Sequence, residues 1–527
     1  WDQLCFRNSR PHLRMIRLHR NLNQCALCEA AAGGKLNAFG ERPLVARGVA
    51  DAVGGNLYEG ESWSWFVQGQ YSYAERYIFS TTLRADASSV FAPDKRTGYF
   101  PAASAAWVAS SEPFMKGQDV LSYLKLRASY GSTGNSGLGY YKYLEIYSFP
   151  ENARYEGQVG GLPKTLGNPN LHWETAIMLN VGVDATLRDR LSVSLDVYDN
   201  KNRDLLLAVP VSLSTGFDER VENTGTIRNR GAELQVTSRN ITRRGFKWET
   251  TFNIARNRNV VEYLPGHQDI IMSTSLGSQI YREGEPLFSW YMPRWLGVDY
   301  ETGNPLWEHF LRDSEGNLTG ETIASSNLDV TNDSQIIGCA QPDFTGGLTN
   351  TFSACGFTLD VNMQFIYGND IFNFARRIID CDGAYSDFNQ MSLDNGLGWV
   401  RWEYKVDEAT GEVLKDTRAT ATHPRPRNGG NKNANEPTGR YLEDGSYFRI
   451  KNVTLSYNLP VSAVKKFGIR SAAVFASVDN LWTYSRFSGM DPEVNLTCGL
   501  GDTYPAGCYN NNYPVSRVFL AGVNLKF

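Results

Sequence analysis

The last twelve residues, Ser516 to Phe527, carry the most regular extended pattern in the sequence and constrain the fold most strongly. Their side chains alternate between an apolar face and a more polar face, as in a β-strand with one apolar side. The apolar face carries Phe519, Ala521, Val523, Leu525 and Phe527, and the opposite face carries Gly522, Asn524 and Lys526, with Val518 and Leu520 as apolar exceptions. This run approaches the roughly 9–11 residues with which a tilted strand crosses a bilayer. It predicts a closing strand of a membrane barrel, with an ordinary edge strand of a soluble sheet as the alternative.

The composition excludes several classes of protein. The 527 residues are 42% hydrophobic and 20% charged, and no window approaches 18 consecutive apolar residues, so we predict no transmembrane helix. The 27 Tyr, 26 Phe and 12 Trp suit the aromatic girdles of a barrel or, equally, a carbohydrate-binding β-protein. A net charge of -4 indicates no nucleic-acid partner.

Strand patterns with a period of two recur from Trp63 to the end of the chain, separated by turn signals. The clearest is Leu191–Asn200, where Leu191, Val193, Leu195 and Val197 alternate with polar residues and Tyr198. Further patterns lie at 62–73, 77–86, 101–109, 123–130, 172–187, 231–239, 247–256, 347–353, 358–366, 453–459 and 473–482. The stretch Gly131-Ser-Thr-Gly-Asn-Ser-Gly137 predicts a glycine-rich turn.

The connections between these strands fall into two kinds. Short turns such as 188–190, 243–245 and 354–356 alternate with long irregular insertions at 150–170, 262–285, 302–340, 368–395, 405–445 and 485–515. This sorting is typical of outer-membrane barrels, which have short periplasmic turns and long extracellular loops. The sequence therefore predicts an all-β fold, a partial antiparallel transmembrane β-barrel of roughly 14–18 strands.

Residues 1–60 differ from the rest in composition, with five Arg and two His in the first 20 residues. Cys25 and Cys28, with His12 and His19, suggest zinc, but a second pair is absent and the histidines precede the cysteines in the wrong arrangement. We therefore predict an irregular or mis-read segment over 1–60 and a barrel over 61–527. Among the eight cysteines, Cys498 and Cys508 flank a short loop and are the candidate disulfide pair.

The sequence carries no recognisable catalytic or metal-binding motif. It lacks His-Glu-x-x-His, Gly-x-Ser-x-Gly and the phosphate-binding Gly-x-x-x-x-Gly-Lys-Ser/Thr. The stretches Asp299–Asn304 and Asp313–Asn317 space acids and amides around a glycine, as in a short calcium loop, but turn chemistry explains those residues equally well. We predict a protein that is not an enzyme, with no catalytic residue, no cofactor and no metal.

Aromatic residues in the long connections are the candidate substrate-binding groups. Tyr140, Tyr141, Trp290, Tyr291 and Trp295 can stack on sugar faces or hold a peptide. Rings near strand ends also form the interfacial girdle of a barrel, which is the competing interpretation for each of them. Arg376, Arg377 and Arg401 are interpreted either as lumen-facing charges or as part of the loop surface.

Several stretches, spread in order from Trp63 to Phe527, resemble the barrel of the SusC/RagA-type TonB-dependent outer-membrane transporters. They are 83–91 (LRADASSVF), 98–101 (GYFP), 124–135 (LKLRASYGSTGN), 168–174 (NPNLHWE), 204–207 (DLLL), 214–217 (STGF), 229–233 (NRGAE), 341–347 (QPDFTGG), 367–370 (YGND) and 444–452 (DGSYFRIKN). The resemblance implies a barrel in the bacterial outer membrane, filled by an N-terminal plug and driven by the TonB complex. It also implies contact with outer-membrane lipid and a surface lipoprotein of the SusD kind as a lid.

Neither the plug nor the TonB-contacting segment is recognisable in this sequence, so we expect a C-terminal fragment. The function implied is import of a nutrient oligomer, either an oligosaccharide or a peptide. A passive porin-like channel, a surface adhesin on the same barrel, and a secreted carbohydrate-binding β-protein are the alternatives. A plug domain encoded upstream would favour active import over a channel or an adhesin. Solubility without detergent would identify a secreted carbohydrate-binding protein.

Overall fold

The structure is a computed structural model that describes residues 12–14, 19–31, 52–115, 117–148, 154–155, 158–274, 276–384, 398–427, 429–431, 436–494, 505–510 and 513–527. Its principal strands are one short strand, β1 (His12–Arg14), and fourteen longer ones. The longer strands are β2 (His19–Ala31), β3 (Ala52–Tyr73), β4 (Tyr77–Ser88), β5 (Thr97–Val108), β6 (Leu121–Asn135), β7 (Glu174–Leu187), β8 (Leu191–Arg203), β9 (Thr226–Arg243), β10 (Phe246–Tyr263), β11 (Phe344–Ala354), β12 (Phe357–Tyr367), β13 (Tyr447–Asn458), β14 (Ser471–Ser485) and β15 (Val518–Lys526).

Shorter strands lie in the connections. They are Ile146–Ser148, Arg154–Tyr155, Gln158–Val159, Leu162–Thr165, Leu206–Pro210, Glu219–Asn223, Ile270–Thr274, Gly277–Tyr281, Ser289–Pro293, Trp295–Val298, Pro305–Arg312, Leu318–Ser325, Ser334–Cys339, Asp370–Asn373, Tyr404–Val406, Val413–Asp416, Leu442–Asp444 and Cys508–Tyr509. The α-helices are α1 (Val330–Asp333), α2 (Phe374–Ile379) and α3 (Val461–Val464). No helix in the described residues is long and apolar enough to cross a membrane.

The chain divides into two compact units. Unit 1 comprises Trp1–Lys116, Lys125–Val181 and Asp199–Ile227, and unit 2 comprises Gly117–Leu124, Gly182–Tyr198 and Arg228–Phe527.

Unit 1 is built on a meander of antiparallel strands. β3 pairs with β4, β4 with β5, and β5 with β6. Ala74 and Glu75, both with positive φ, make the turn between β3 and β4, at the position that the sequence predicted. Such turns match the twist of the strands that they join, so neighbours in sequence become neighbours in the sheet.

Residues 131–135 correct one prediction, because β6 continues through Asn135 where a turn was expected. The glycines here permit close packing. A Cβ on Gly131 would lie 2.6 Å from that of Ala102, and a Cβ on Gly134 would lie 2.0 Å from the ring of Phe100. Glycine in a strand often marks such a close approach, and this use cannot be distinguished from a turn by composition alone.

The segment predicted to be irregular over residues 1–60 contains β1, β2 and the start of β3. Both β1 and β2 pair antiparallel with β3. Strand pairing uses main-chain groups, so it requires no alternation of side chains. The side chains proposed for zinc, those of His12, His19, Cys25 and Cys28, lie outside what the structure describes.

Unit 2 is also built of antiparallel strands. β10 pairs with β11, β11 with β12, β12 with β13, β13 with β14, and β14 with β15. Short turns join β9 to β10 and β11 to β12, whereas long connections follow β10, β12 and β14. The long connections contain strands, so they are more regular than the sequence predicted.

Apolar side chains on several of the long strands are exposed. Phe79 in unit 1 is 52% exposed, and Leu455 and Val523 in unit 2 are 47% and 59% exposed. On the opposite face, polar side chains bond across strands, as Ser80 does with Ser104 at 3.1 Å and Thr351 with Asp360 at 2.6 Å. A sandwich would bury the apolar faces against a second sheet, whereas lipid-facing strands show this inverted pattern.

Candidate functional site in the long connections of unit 2

The three long connections of unit 2 fold together into what we call the loop layer, residues 264–343, 368–446 and 486–517. They meet in one apolar cluster with Val261 of β10, whose loop-layer members include Trp290, Phe372, Tyr441 and Cys508. The Trp290 indole donates a 3.0 Å hydrogen bond to the carbonyl of Asp370 and packs 5.7 Å from the Phe372 ring. Each of the three connections therefore contributes at least one described residue to this cluster.

Main-chain pairing reinforces the loop layer. Asp370–Asn373 pairs antiparallel with Leu442–Asp444 and parallel with Cys508–Tyr509, which ties the second and third connections together. In the first connection, Ser289–Pro293 pairs with Gly277–Tyr281 and with Ser334–Cys339. Such strands satisfy the main-chain groups that a buried loop would leave unpaired.

Gly368 and Asn369 form the bend that connects the end of β12 to the loop layer. Gly368 has a φ of 87°, a conformation that L side chains rarely adopt. Its N–H bonds to the Ser446 hydroxyl at 3.0 Å, and the neighbouring Asn369 carbonyl accepts from Gly445 N–H at 2.8 Å. The motifs 367–370 and 444–452, which carry the sequence resemblance, therefore meet at this corner.

The Tyr441 hydroxyl of the apolar cluster donates to the Asp380 carbonyl at 3.1 Å. Asp380 belongs to a buried ionic cluster, which we define by the residues Arg376, Asp380, Asp382, Arg401, His423 and Arg440. Arg440, 3% exposed, lies 2.6 Å from Asp382 and 3.2 Å from Asp380. His423 Nε2 lies 3.1 Å from Asp380, and Arg401 lies 3.5 Å from Asp382. Buried charges persist when they are paired in this way.

The ionic cluster lowers the pKa values of both Asp380 and His423. Burial raises the pKa of Asp380, but the hydrogen bond from His423 and the charges of Arg440, His423 and Arg376 outweigh burial, so this pKa is lowered. Burial, together with the charges of Arg376 and Arg440, lowers the pKa of His423 although Asp380 raises it, so His423 is neutral near pH 7. The cluster thus holds Asp380 ionised.

A second charged group fastens the third connection to the wall of unit 2. Arg449 of β13 is buried and donates to Asp491 at 2.5 Å, to Glu493 at 2.6 Å and to the Thr483 hydroxyl at 3.0 Å. Lys451 reaches Glu493 at 3.1 Å. Residues 491–493 are therefore held against the polar face of β13 and β14.

The outer part of the loop layer presents stacked rings that the sequence analysis did not identify. The Arg418 guanidinium lies over Tyr404 at 3.8 Å and over Tyr300 at 4.9 Å. Tyr300 and Tyr404 are 48% and 41% exposed. Trp402 donates a 2.8 Å hydrogen bond to the Tyr300 carbonyl, which fixes the two hairpins relative to each other. We call Tyr300, Arg418 and Tyr404 the stacked surface. Tyr300 and Arg418 are 118 positions apart, so no local sequence pattern indicates their contact.

The structure separates the predicted ligand-binding aromatics of unit 2. Trp290 is fully buried in the apolar cluster, so it is a core residue rather than a ring available for stacking on a ligand. Tyr291 is half-buried beneath Arg282, whose guanidinium lies 5.7 Å from the ring. Trp295 packs 5.7 Å from Trp307 and lies beneath Arg440 at 5.4 Å.

The remaining predicted pair belongs to unit 1. Tyr140 and Tyr141 are half-buried, with ring centroids 6.2 Å apart. Gly60 lies directly against the Tyr140 ring, because a Cβ there would come within 2.4 Å of it. Tyr141 has a φ of 63°, which is uncommon for a residue with a bulky side chain.

The two candidate calcium loops have their first aspartates engaged in turn hydrogen bonds. Asp299 accepts from the N–H and hydroxyl of Thr302, and Asp313 accepts from Asn317 N–H at 2.8 Å. These are the contacts of turns built on aspartate. In the part of the chain that the structure describes, no group of three His, Cys, Asp or Glu side chains is placed to hold a metal ion.

The structure gives the partners of three arginines and one cysteine named in the sequence analysis. Arg376 and Arg401 belong to the ionic cluster, and Arg377 lies 5.7 Å from the Phe374 ring within α2. Cys508 is a free, buried thiol, and Cys498, its predicted disulfide partner, lies outside the described residues.

Comparison with known proteins identifies relatives along most of the chain. The family model described as TonB dependent receptor-like, beta-barrel matches residues 34–481. TonB-dependent receptor P3 of Formosa agariphila is 33% identical over 487 residues, which are 89% of this chain and 46% of that protein. TonB-dependent receptor SusC of Bacteroides thetaiotaomicron is 28% identical over 496 residues, which are 88% of this chain and 43% of that protein. The chain thus spans about half the length of these relatives.

Solved structures share the fold. The RagAB peptide transporter superposes with a TM-score of 0.76 at 25% identity, covering 92% of this chain and 50% of that chain. The RagAB peptide importer in its open-open state gives a TM-score of 0.80 at 24% identity, covering 97% of this chain and 52% of that chain.

Proposed function

The chain belongs to the TonB-dependent receptor-like β-barrel family and is an outer-membrane protein, and on that premise we propose that it forms the barrel part of an active nutrient importer. The cargo is an oligomer, a glycan or a peptide. The TonB complex supplies the energy, and a SusD-like surface lipoprotein covers the loop layer. The barrel itself breaks no bond.

The observation that carries this proposal is the construction of the loop layer. Its three connections share one apolar cluster and one buried ionic cluster, which makes it a preformed surface. Preformed surfaces lose less conformational entropy on binding than mobile loops do. A passive porin has no need of such a surface, whereas an importer that captures a dilute oligomer does.

The exposed rings of the loop layer are the proposed substrate contacts. Tyr300 and Tyr404 of the stacked surface present wide, partly exposed rings, and Tyr291 and Trp295 lie in the same loop layer. Tyr140 and Tyr141 of unit 1 remain candidates. Amphipathic rings suit both sugar faces and peptide side chains, so the proposal covers both cargoes. The names of the relatives include a peptide transporter and receptors, and none describes an enzyme.

Growth complementation tests the proposal. The full natural gene is deleted in the source bacterium, and growth is measured on single glycans and on peptides. The wild-type gene restores growth on one class of oligomer, and the Tyr300→Ala/Tyr404→Ala variant restores it less well at limiting substrate. Tyr99→Ala, an exposed tyrosine of β5, is the matched control and restores growth fully.

Removal of TonB distinguishes active import from a passive channel. Import through this protein ceases in a TonB-deficient strain, because the family couples transport to that complex. Uptake that continues at the same rate without TonB contradicts the proposal and supports the porin-like alternative. Growth on every tested oligomer after deletion of the gene contradicts both.

A further inference from the structure

The short-turn end of unit 2 is strongly basic. Ten basic side chains lie in or beside its turns and strand ends: Arg188, Arg190, Arg239, Arg243, Arg244, Lys247, Lys465, Lys466, Arg470 and Lys526. The carboxylates in the same segments are Asp119, Asp189 and Glu249. We call this set of basic residues the basic rim.

Main-chain contacts and strand register relate the members of the basic rim along the sheet of unit 2. Arg239 N–H donates to the Arg190 carbonyl at 2.8 Å, and Arg470 N–H donates to the Lys526 carbonyl at 2.7 Å. Between them, Lys247 is registered with Ser353, and Phe357 with Tyr457. The turn at 354–356 carries no cation, so the basic rim has two groups, one within 188–247 and one within 465–526. Within each group the positive potentials of neighbouring cations add.

Three cations at the centre of the rim lack a counter-charge. Arg239 is paired with Glu249 at 3.6 Å. Within the described residues, Arg243, Arg244 and Lys247 have no ion-pair partner. They flank the turn at Gly245, and all three are exposed.

A cavity of about 310 Å³ lies beside these cations. Arg243 and Lys247 line it, together with the partly exposed rings of Phe246 and Phe357. The ring of Phe357 packs 4.4 Å from that of Tyr457. Phe246 and Phe357 are the first residues of β10 and β12, the position of an interfacial aromatic belt.

The apolar face of β10 extends away from this cavity. Trp248, Phe252 and Ile254 follow Phe246 on the same face, because side chains alternate along a strand. Thr250 interrupts this face and bonds to Asn350 at 2.7 Å, and Lys247 begins the opposite, polar face. Trp248 stacks on Phe352 of β11 with ring centroids 5.6 Å apart. Cations at the strand ends thus adjoin an apolar, aromatic strip on the wall.

From this arrangement we propose that the basic rim binds anionic phospholipid of the periplasmic leaflet, with a phosphodiester headgroup at Arg243, Arg244 and Lys247. Short turns lie on the periplasmic side of such barrels, which places the rim at the headgroup level. The acyl chains lie along the apolar strip of β10 and β11. A free phosphate ion matches the cations alone, whereas a phospholipid matches both the cations and the strip.

Native mass spectrometry of the full natural protein in detergent tests this proposal. The probes are phosphatidylglycerol and phosphatidylcholine with the same acyl chains. Wild-type protein binds phosphatidylglycerol in preference, and Arg243→Gln/Arg244→Gln/Lys247→Gln weakens that binding by about fivefold for each cation removed. The control, Arg312→Gln/Lys405→Gln/Lys415→Gln, removes three cations of the loop layer and leaves binding unchanged.

Several outcomes overturn the proposal. They are equal binding of both lipids, unchanged binding in the rim variant, or an equal loss in the control variant. Displacement of phosphatidylglycerol by inorganic phosphate at matched concentration assigns the site to a free anion and overturns it too. If the triple variant does not fold, Arg244→Gln alone, at an exposed turn position, is measured in the same way and is expected to show the single-cation loss.

Discussion

At the scale of single residues, we expect substitution of Arg440 to destabilise the loop layer most. It is almost fully buried between Asp380 and Asp382, so Arg440→Met leaves two buried carboxylates with less compensation. Removing one partner of a buried ion pair costs about 3–5 kcal/mol. We expect the loop layer to be cleaved by protease at a clearly lower urea concentration than in the wild type.

The control for Arg440 is Arg282→Met. Arg282 forms a partly exposed pair with Asp269 at 2.7 Å, and such surface pairs contribute about 0–1 kcal/mol. Its cleavage midpoint is expected to stay close to the wild-type value. Equal midpoints for the two variants would show that the ionic cluster does not stabilise the loop layer.

His423 gives the loop layer a pH dependence of defined sign. Burial lowers its pKa below the ordinary value of 6.5. As the pH falls through 6.5, the unfolded loops take up a proton that the folded loops do not, so stability decreases until the folded pKa is reached. Asp380, whose pKa is lowered from 3.8, loses its contribution only at more acidic pH, below that ordinary value.

The measurement is the protease-cleavage midpoint of the loop layer at about pH 7.5 and about pH 5.5. The wild-type midpoint decreases toward the lower pH, and His423→Gln shows a smaller decrease. A midpoint that rises on acidification would assign His423 a raised pKa and contradict the burial argument.

The sequence predicted side-chain roles only where the neighbours were local. Trp290 was assigned to ligand binding because aromatic composition cannot distinguish a core ring from an exposed one. The ion pairs of Arg376 with Glu443 and of Arg401 with Asp382 were not predicted, because these residues meet only after the connections fold. The contacts of Arg418 with Tyr300 and Tyr404 likewise join distant segments, which a single sequence without alignment does not reveal.

At the scale of elements, the turn between β11 and β12 is specified by two residues. Cys355 and Gly356 have φ values of 51° and 87°, as in the tight turn that best fits a hairpin and favours Asn-Gly. A Cβ on Gly356 would lie 3.1 Å from the Asn458 carbonyl oxygen. We expect Gly356→Val to destabilise the hairpin by about 1–2 kcal/mol.

Cys355→Asn is the matched change at the neighbouring position. Asn tolerates a positive φ, so this variant is expected to unfold at or slightly above the wild-type temperature. Unfolding is followed by the mobility shift of heated samples on a gel. A loss of stability in Cys355→Asn as large as that in Gly356→Val would contradict the turn assignment.

The strands themselves were predicted well because alternation is a local property. The hairpin at residues 73–77 and the strands ending at Leu187 and beginning at Leu191 lie where the pattern placed them. The glycines of β6 were wrongly assigned to a turn, since their role depends on Phe100 and Ala102 of the neighbouring strand. The strands within the loop layer were missed because each has only a few residues and pairs across long sequence separations.

At the scale of the molecule, the exposed apolar faces require a non-aqueous solvent. Each apolar Å² exposed to water costs about 25 cal/mol. The apolar face of β15 is exposed along its length, and Phe79 of β4 and Leu455 of β13 are exposed as well. Membership of an outer-membrane family removes this cost, since lipid covers those faces. The polar faces then point to the lumen, where side-chain hydrogen bonds such as that of Thr351 with Asp360 line the wall.

The same placement predicts which end of unit 2 meets the cell exterior. Cys355 lies exposed in a short turn, and Glu321 lies exposed in the loop layer. With every other cysteine replaced by serine, a membrane-impermeant maleimide should label Glu321→Cys (in a Cys355→Ser background) on intact cells. Cys355 should react only after the outer membrane is made permeable, because short turns face the periplasm. If Cys355 on intact cells is labelled as fast as the loop-layer cysteine, the proposed orientation is wrong. The assignments of the loop layer to substrate capture and of the basic rim to the periplasmic leaflet are then wrong as well.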